Sequence, residues 1–188
     1  MEISERGYWI GSDMSIHQFD RPLAERILYI IGYQEYREIV DIGCGDGSYT
    51  KFLNDSGLKC YGYDGNPDTY NATGGLCKVL DFSKPVDIKP LDVVLCLEVG
   101  EHVPVKYQDI LIKNITDCAK NMIILSWGVP NQGGFGHVNC RTNNYIVRKV
   151  RKYGFSYHPI ESFGLRTHST KTWFKHTLMV FHRDNNKT

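Results

Sequence analysis

Apolar and polar positions recur along this chain at two different periods, and the switches between them predict strands and helices in turn. Asp20 followed by Pro22 opens a helix whose stripe, Leu23, Ile27, Leu28 and Ile31, ends near Gly32. Ile39, Val40 and Ile42 read as a buried strand, Ser48 to Asn54 as a helix, and Leu58 to Tyr63 as a strand ending in Asp64. Asn66-Pro67 turns the chain into a short helix, and Cys77 to Leu80 form a short third strand. Leu91 to Leu97 is apolar almost throughout, as a central strand buried on both faces must be. A helix over about 105–120, a strand over 122–127, a helix over 143–153 and two closing strands, about 155–163 and 172–182, complete the pattern. The last two are expected to pair as a hairpin-like end to the sheet. Such alternation builds an α/β fold with a mainly parallel sheet.

Bulk composition narrows this picture. A chain of 188 residues, 41% of them hydrophobic, supports one domain with a single sizeable core, so 1–188 is read as one unit. No apolar run approaches the roughly 18 residues that span a bilayer, and the N-terminus has no signal-like apolar core, which predicts a cytoplasmic protein with no membrane partner. Six cysteines stand singly, without a C-x-x-C pair, and read as buried thiols. Residues 1–94 carry 9 Lys and Arg against 15 Asp and Glu, and 95–188 carry 13 against 6. Arg141, Arg148, Lys149, Arg151, Lys152, Arg166, Lys171 and Lys175 lie in the basic half. They either share a face that attracts an acidic substrate or form solvated helix surface.

The densest chemical signal is Val40 to Thr50, VDIGCGDGSYT. Gly43, Gly45 and Gly47 follow a strand and precede a helix, so the backbone can turn tightly and approach a ligand with no Cβ in the way. A nicotinamide-binding G-x-G-x-x-G would need glycine at position 48, where this chain has Ser48. Asp64 ends the next strand, where a doubly wound fold places the carboxylate that receives ribose hydroxyls.

With Leu80-Asp81-Phe82 and the segment LCLEVGEHVP over 95–104, these stretches resemble the class I S-adenosylmethionine-dependent methyltransferases. The resemblance implies a Rossmann-like, doubly wound seven-stranded sheet with its last strand inserted antiparallel. It also implies S-adenosylmethionine as cofactor, with Asp41, Gly43, Gly45 and Gly47 bordering its methionine and ribose. Asp64 would take the ribose hydroxyls, Asp81 and the Phe82 backbone the adenine, and Glu98 would lie near the methyl. The loop WGVPNQGGFGHVNC, 127–140, resembles that of a small bacterial and viral subset associated with glycan or sugar modification.

Methyl transfer to a hydroxyl needs an in-line approach and a group that takes a proton. His137, among glycines in the 127–140 loop, is one candidate for that base, and His102 in the Glu101-His102 pair is the other. Gln132, Asn139 and Arg141 are read as acceptor-binding residues, together with Trp9 and His17 in the aromatic stretch GYWIGSDMSIHQFD before the first helix. That stretch, within 1–35, is a candidate lid, or an arm packed on the sheet. His168, His176 and His182 read as structural. Glu98, Glu101, His102 and His137 offer donors that suit divalent ions, but their spacing is not diagnostic and no metal is assigned.

The expected function is O-methylation of a small polar acceptor such as a sugar or nucleotide-sugar, with late basic residues holding a phosphate. Competing readings are a methyltransferase acting on nucleic acid or protein, a nicotinamide-dependent oxidoreductase, and a non-catalytic cofactor-binding protein. An Asn-Pro-Pro-Tyr-like base-methylating motif is absent after the fourth strand, where Glu98-Val99-Gly100-Glu101 stands, so nucleic acid is not the expected partner. The acceptor and the oligomeric state are left open by these patterns.

Overall fold

A computed structural model of the chain describes residues 2–11, 13 and 17–184. A two-stranded antiparallel ribbon, β1 (Glu2–Ile3) and β2 (Trp9–Ile10), precedes helix α1 (Arg21–Tyr33). Asp20 caps α1 by accepting from the Leu23 amide at 3.3 Å, and Leu23, Ala24, Ile27, Ile30 and Ile31 form its buried face.

The main sheet begins with β3 (Glu38–Ile42), α2 (Ser48–Asp55), β4 (Lys59–Asp64), the short α3 (Thr69–Ala72) and β5 (Lys78–Val79). It continues with β6 (Leu91–Cys96), α4 (Gln108–Cys118), β7 (Ala119–Leu125), α5 (Asn143–Arg151) and β8 (Phe155–Tyr157), then α6 (Pro159–His168), α7 (Phe174–Thr177) and β9 (Met179–Arg183). The seven strands lie in the order β5-β4-β3-β6-β7-β9-β8. β9 runs antiparallel to both its neighbours, and the pairs joining β5 through β7 are parallel.

Side chains of period two divide the core between the sheet's faces. Val40, Ile42, Val94, Cys96, Ile123 and Leu125 pack with Leu111, Ile112 and Ile115 of α4 and with Ile146 and Val150 of α5. Ile39, Val93, Leu95, Met122 and Ile124 pack with Leu23, Ile27 and Ile31 of α1 and with Leu53 and Leu165. Five of the six cysteines are buried free thiols, and Cys140 is intermediate.

One stretch departs from the predicted elements. Residues expected as a strand over 155–163 form the three-residue β8 and then helix α6, and the expected strand over 172–182 is α7 followed by β9. β8 and β9 do pair antiparallel, but two helices separate them, so they form no hairpin. Pro159 supplies the fixed φ of a first helical turn, and Ile160 and Phe163 point outward at 78% and 67% exposure.

Strand order reverses between β3 and β6: from β3 the chain builds outward through β4 to β5, then returns to β6 and builds toward the opposite edge. In an open sheet of this kind the crevice beyond the carboxyl ends of those strands is the ligand-binding position. The candidate site lies there.

Candidate active site

A cavity of about 720 Å³ opens at this switch point. Its floor is the loop after β3 (Asp41 to Asp46), Asp64 to Asn66 after β4, and Leu80 to Ser83 after β5. Glu98, Val99 and His102 follow β6, and Val129 to Phe135 with His137 follow β7. The N-terminal stretch contributes Arg6 to Trp9 and His17 to Phe19.

The glycine loop is built by backbone need and by close approach. Gly43 and Gly45 hold φ of 71° and 54° and line the cavity, and a Cβ on Gly45 would press on His17 Nδ1 at 2.5 Å. Gly47, also at positive φ, caps α2 and packs toward Cys77, so it shapes the loop from behind and does not line the cavity. Asp64 is held as a two-sided acceptor: Oδ2 takes the Gly45 amide at 3.1 Å and Oδ1 the Asn66 amide at 2.9 Å. Asp41 accepts from the Thr50 hydroxyl at 2.7 Å, and burial pushes its carboxyl up to about 7 despite that bond. Asp81 Oδ1 accepts from the Ser83 amide and hydroxyl, and its Oδ2 lies 3.7 Å from Arg6 and 3.5 Å from Lys84. Phe82 lines the same end of the cavity, and Asn114 donates to its carbonyl at 2.8 Å.

The opposite end is held by Glu98, which sits at φ 53° immediately beyond β6. Its Oε2 accepts from Gln132 Nε2 at 2.5 Å and its Oε1 from the Thr177 hydroxyl at 3.0 Å, tying the 127–140 loop and the end of α7 to one carboxylate. His102 and His137 meet edge to face with ring centres 4.8 Å apart, and Trp9 lies 5.2 Å from His102 and 5.3 Å from His17. His137 Nδ1 bonds the Gln132 carbonyl at 3.1 Å, which makes Nδ1 the protonated nitrogen and leaves the lone pair on Nε2. Burial and the neighbouring His137 push His102 down to about 4, so it is neutral at physiological pH. Glu101, behind the two imidazoles, has 0% exposure and no hydrogen-bond partner for either carboxyl oxygen among the described residues. Burial, then the charge of Glu98, drives its carboxyl well above the ordinary range.

Two residues read as acceptor-binding lie elsewhere. Asn139 is 2% exposed and donates to the carbonyls of Gly100 and Val103, while its own carbonyl accepts from Trp127 Nε1 at 2.7 Å. It staples the 127–140 loop to the segment after β6. Arg141 donates to Gln108 at 3.1 Å and stacks on Tyr145, also outside the cavity lining. Trp9, His17 and Gln132 do line it. In the proposed lid, Ser12, Met14, Ser15 and Ile16 fall outside the described residues.

Thr172, Trp173, Phe174 and His176, none of them expected as site residues, wall the cavity from the segment leading into β9. His176, read as structural, is among them. Trp173 and Phe174 in a predicted strand were the available signal, and only the antiparallel insertion of β9 brings them beside the carboxyl ends of β6 and β7.

Residues 15–160 match the family profile described as a methyltransferase domain. The chain belongs to that family. Its seven-stranded sheet with β9 inserted antiparallel is the class I, Rossmann-like methyltransferase fold. No curated protein sequence matches the chain. Magnesium protoporphyrin IX methyltransferase of Synechocystis, solved with bound SAH, is 17% identical, with a TM-score of 0.65 over 86% of this chain and 82% of that one. A sugar N-methyltransferase of Streptoalloteichus is 11% identical, with a TM-score of 0.68 over 88% of each chain. A small RNA methyltransferase is 15% identical, with a TM-score of 0.65 over 88% of this chain and 25% of that one. One methyltransferase fold thus carries a porphyrin, a sugar and an RNA enzyme, so the acceptor has to be argued from the cavity.

Proposed function

We propose that this methyltransferase uses S-adenosylmethionine to O-methylate a hydroxyl of a small, polar, uncharged acceptor such as a sugar. The observation that carries the reading is the polarity of the cavity along its length. One end presents Gly43, Gly45 and a carboxylate, Asp64, placed to accept from two ribose hydroxyls; the other presents Glu98, His102 and His137. The solved sugar and porphyrin relatives, the latter with bound SAH, support that cofactor assignment. Methyl transfer to a hydroxyl releases a proton, and the unprotonated Nε2 of cavity-lining His137, beside the neutral His102, is the basic equipment available where the acceptor would lie.

Charge favours a neutral acceptor over a nucleotide-linked one. Among the described residues Arg6 is the only Lys or Arg lining the cavity, and it is engaged by Asp81 and Ser83. The basic residues of α5 lie outside the lining, with Lys149 paired to Asp109. A diphosphate or a nucleic-acid backbone would find no unengaged cation there.

Calorimetric titration with S-adenosylmethionine, S-adenosylhomocysteine and NAD tests the cofactor. Saturable binding of the first two without NAD is expected, and binding of NAD alone overturns the reading. A radiolabelled methyl-transfer screen over neutral sugars, nucleotide-sugars and short RNA then tests the acceptor, with label expected in the neutral sugars.

A further inference from the structure

The geometry points to a divalent metal site formed by the Glu101 carboxylate and the imidazoles of His102 and His137. One donor atom from each lies within 4.8 Å of the others, with Glu101 Oε1 and His137 Nε2 4.0 Å apart. That is too long for a hydrogen bond. Two donors about 2.1 Å from one shared ion stand roughly 3 to 3.5 Å apart, so the cluster needs only a contraction of about 1 Å to take an ion.

Independent of this spacing, the cluster is short of partners. Both oxygens of Glu101 and Nδ1 of His102 are buried with no hydrogen-bond partner among the described residues. A fully buried carboxyl facing imidazole lone pairs is costly to leave unmatched, and one cation satisfies all of these acceptors together. His137 is arranged as ligating histidines are: its Nδ1 is held by the Gln132 carbonyl, which fixes the tautomer and turns Nε2 toward Glu101. The Glu101 carbonyl accepts from the amides of Val138 and Asn139, both at 2.9 Å, which locks the 127–140 loop against the residue after β6. Gly134 leaves the room that the His137 ring occupies, since a Cβ there would overlap Nε2.

Two imidazoles and one carboxylate suit manganese, iron(II), cobalt or zinc better than magnesium or calcium, which favour all-oxygen sites. His102 and His137 line the cavity and Glu101 lies behind them, so the ion's open positions face the acceptor. There the ion would lower the pKa of a bound hydroxyl, and the imidazoles would act as ligands instead of bases. This inference rests on the proposed function only for that last step; the site itself stands on the cluster.

Cobalt(II) is the probe. Chelator-stripped protein is titrated with it and followed by the visible ligand-field bands, in parallel with calorimetry of S-adenosylhomocysteine. One equivalent is expected to bind, with affinity falling at least about tenfold in His137→Ala and in the near-isosteric Glu101→Gln, both still binding S-adenosylhomocysteine. The second variant keeps the test open should the first fail to fold. No cobalt uptake by the stripped protein overturns the site. So does uptake that survives both variants and disappears in His158→Ala, which would assign it to the outer cluster His158, Glu161 and His182. Cobalt binding without S-adenosylhomocysteine binding supports the metal site and removes the methyl-transfer reading; the converse removes the metal and leaves His137 as the base.

Discussion

Among the described residues, two groups combine two histidines with one glutamate, one at the cavity and one on the outer end of the sheet, and their surroundings differ more than their chemistry. In the outer group Glu161 accepts from His182 at 2.5 Å and lies 3.4 Å from His158, whose side chain is 47% exposed. Its side chains are matched within the group. In the inner group Glu101 has no exposure and, among the described residues, no hydrogen bond to either carboxyl oxygen, and the His137 Nε2 stops at 4.0 Å. Identical residue types therefore form a closed ion-pair network where water is present and an unsatisfied cluster where it is excluded. Composition does not distinguish a functional group of ligands from a surface salt bridge; hydrogen-bond accounting does.

The sharpest way to break this comparison is to make the same change in both groups. Glu101→Gln is expected to lower kcat about 10³-fold on the acceptor that the screen identifies, while Glu161→Gln leaves it unchanged. Equal effects in a steady-state assay would show that burial and missing partners carry no functional information here.

Asp41 adds a buried carboxyl of intermediate kind, with one partner, Thr50, and a carboxyl raised to about 7. Between pH ~4 and ~7 the folded state keeps a proton that the unfolded chain has lost. The stability from this group therefore falls as pH rises through that window and stays low above it. Asp41→Asn is expected to flatten the decline, by at most ~4 kcal/mol at pH 8, in urea denaturation repeated across pH. An unchanged pH slope would place Asp41 among solvated carboxylates.

Gly134→Ala probes the inner group without touching its donors. The new Cβ has to displace the His137 ring, so turnover should fall about tenfold with S-adenosylhomocysteine affinity preserved, as separate kinetic and calorimetric assays would read. The smallest effect belongs to the outer group. Burial raises Glu161, but the hydrogen bond from His182 and the charges of His182, His158 and Arg26 outweigh it and hold the carboxyl below its ordinary 4.5. Its stabilisation is present above that pH and lost as pH falls through the lowered value. Glu161→Gln should lower neutral-pH stability by less than ~1 kcal/mol, a difference that disappears on the acid side in thermal melts repeated across pH.

The parallel half of the fold was legible because its strands are buried on both faces. Ile39 to Ile42 and Leu91 to Cys96 are apolar runs bounded by turn residues, and no helical stripe fits them. The loops that end those strands carry their chemistry locally, so Gly43, Gly45, Asp64, Asp81 and Glu98 could be placed from the sequence and all line the cavity. Two kinds of residue could not. Asn139 looked like a ligand because polar loop side chains often are, but the fold uses its amide to satisfy the carbonyls of Gly100 and Val103. Residues 172–176 depend on where β9 enters the sheet, a long-range fact that no local period encodes, and α6 hid itself by turning Ile160 and Phe163 toward solvent.

Asp20 has a consequence for the order in which the molecule is made. Besides capping α1, its Oδ2 accepts from the Ser169 hydroxyl at 2.6 Å and from the amides of Thr170 and Lys171 at 2.8 and 3.2 Å. Those partners leave the ribosome about 150 residues later, after every strand of the sheet except β9. Until they are made, Asp20 has only its cap of α1, and the cavity lacks the wall at residues 172–176. One carboxylate thus ties the start of α1 to the segment that walls the cavity, so that wall and the Asp20 clasp are completed by the same late stretch of chain.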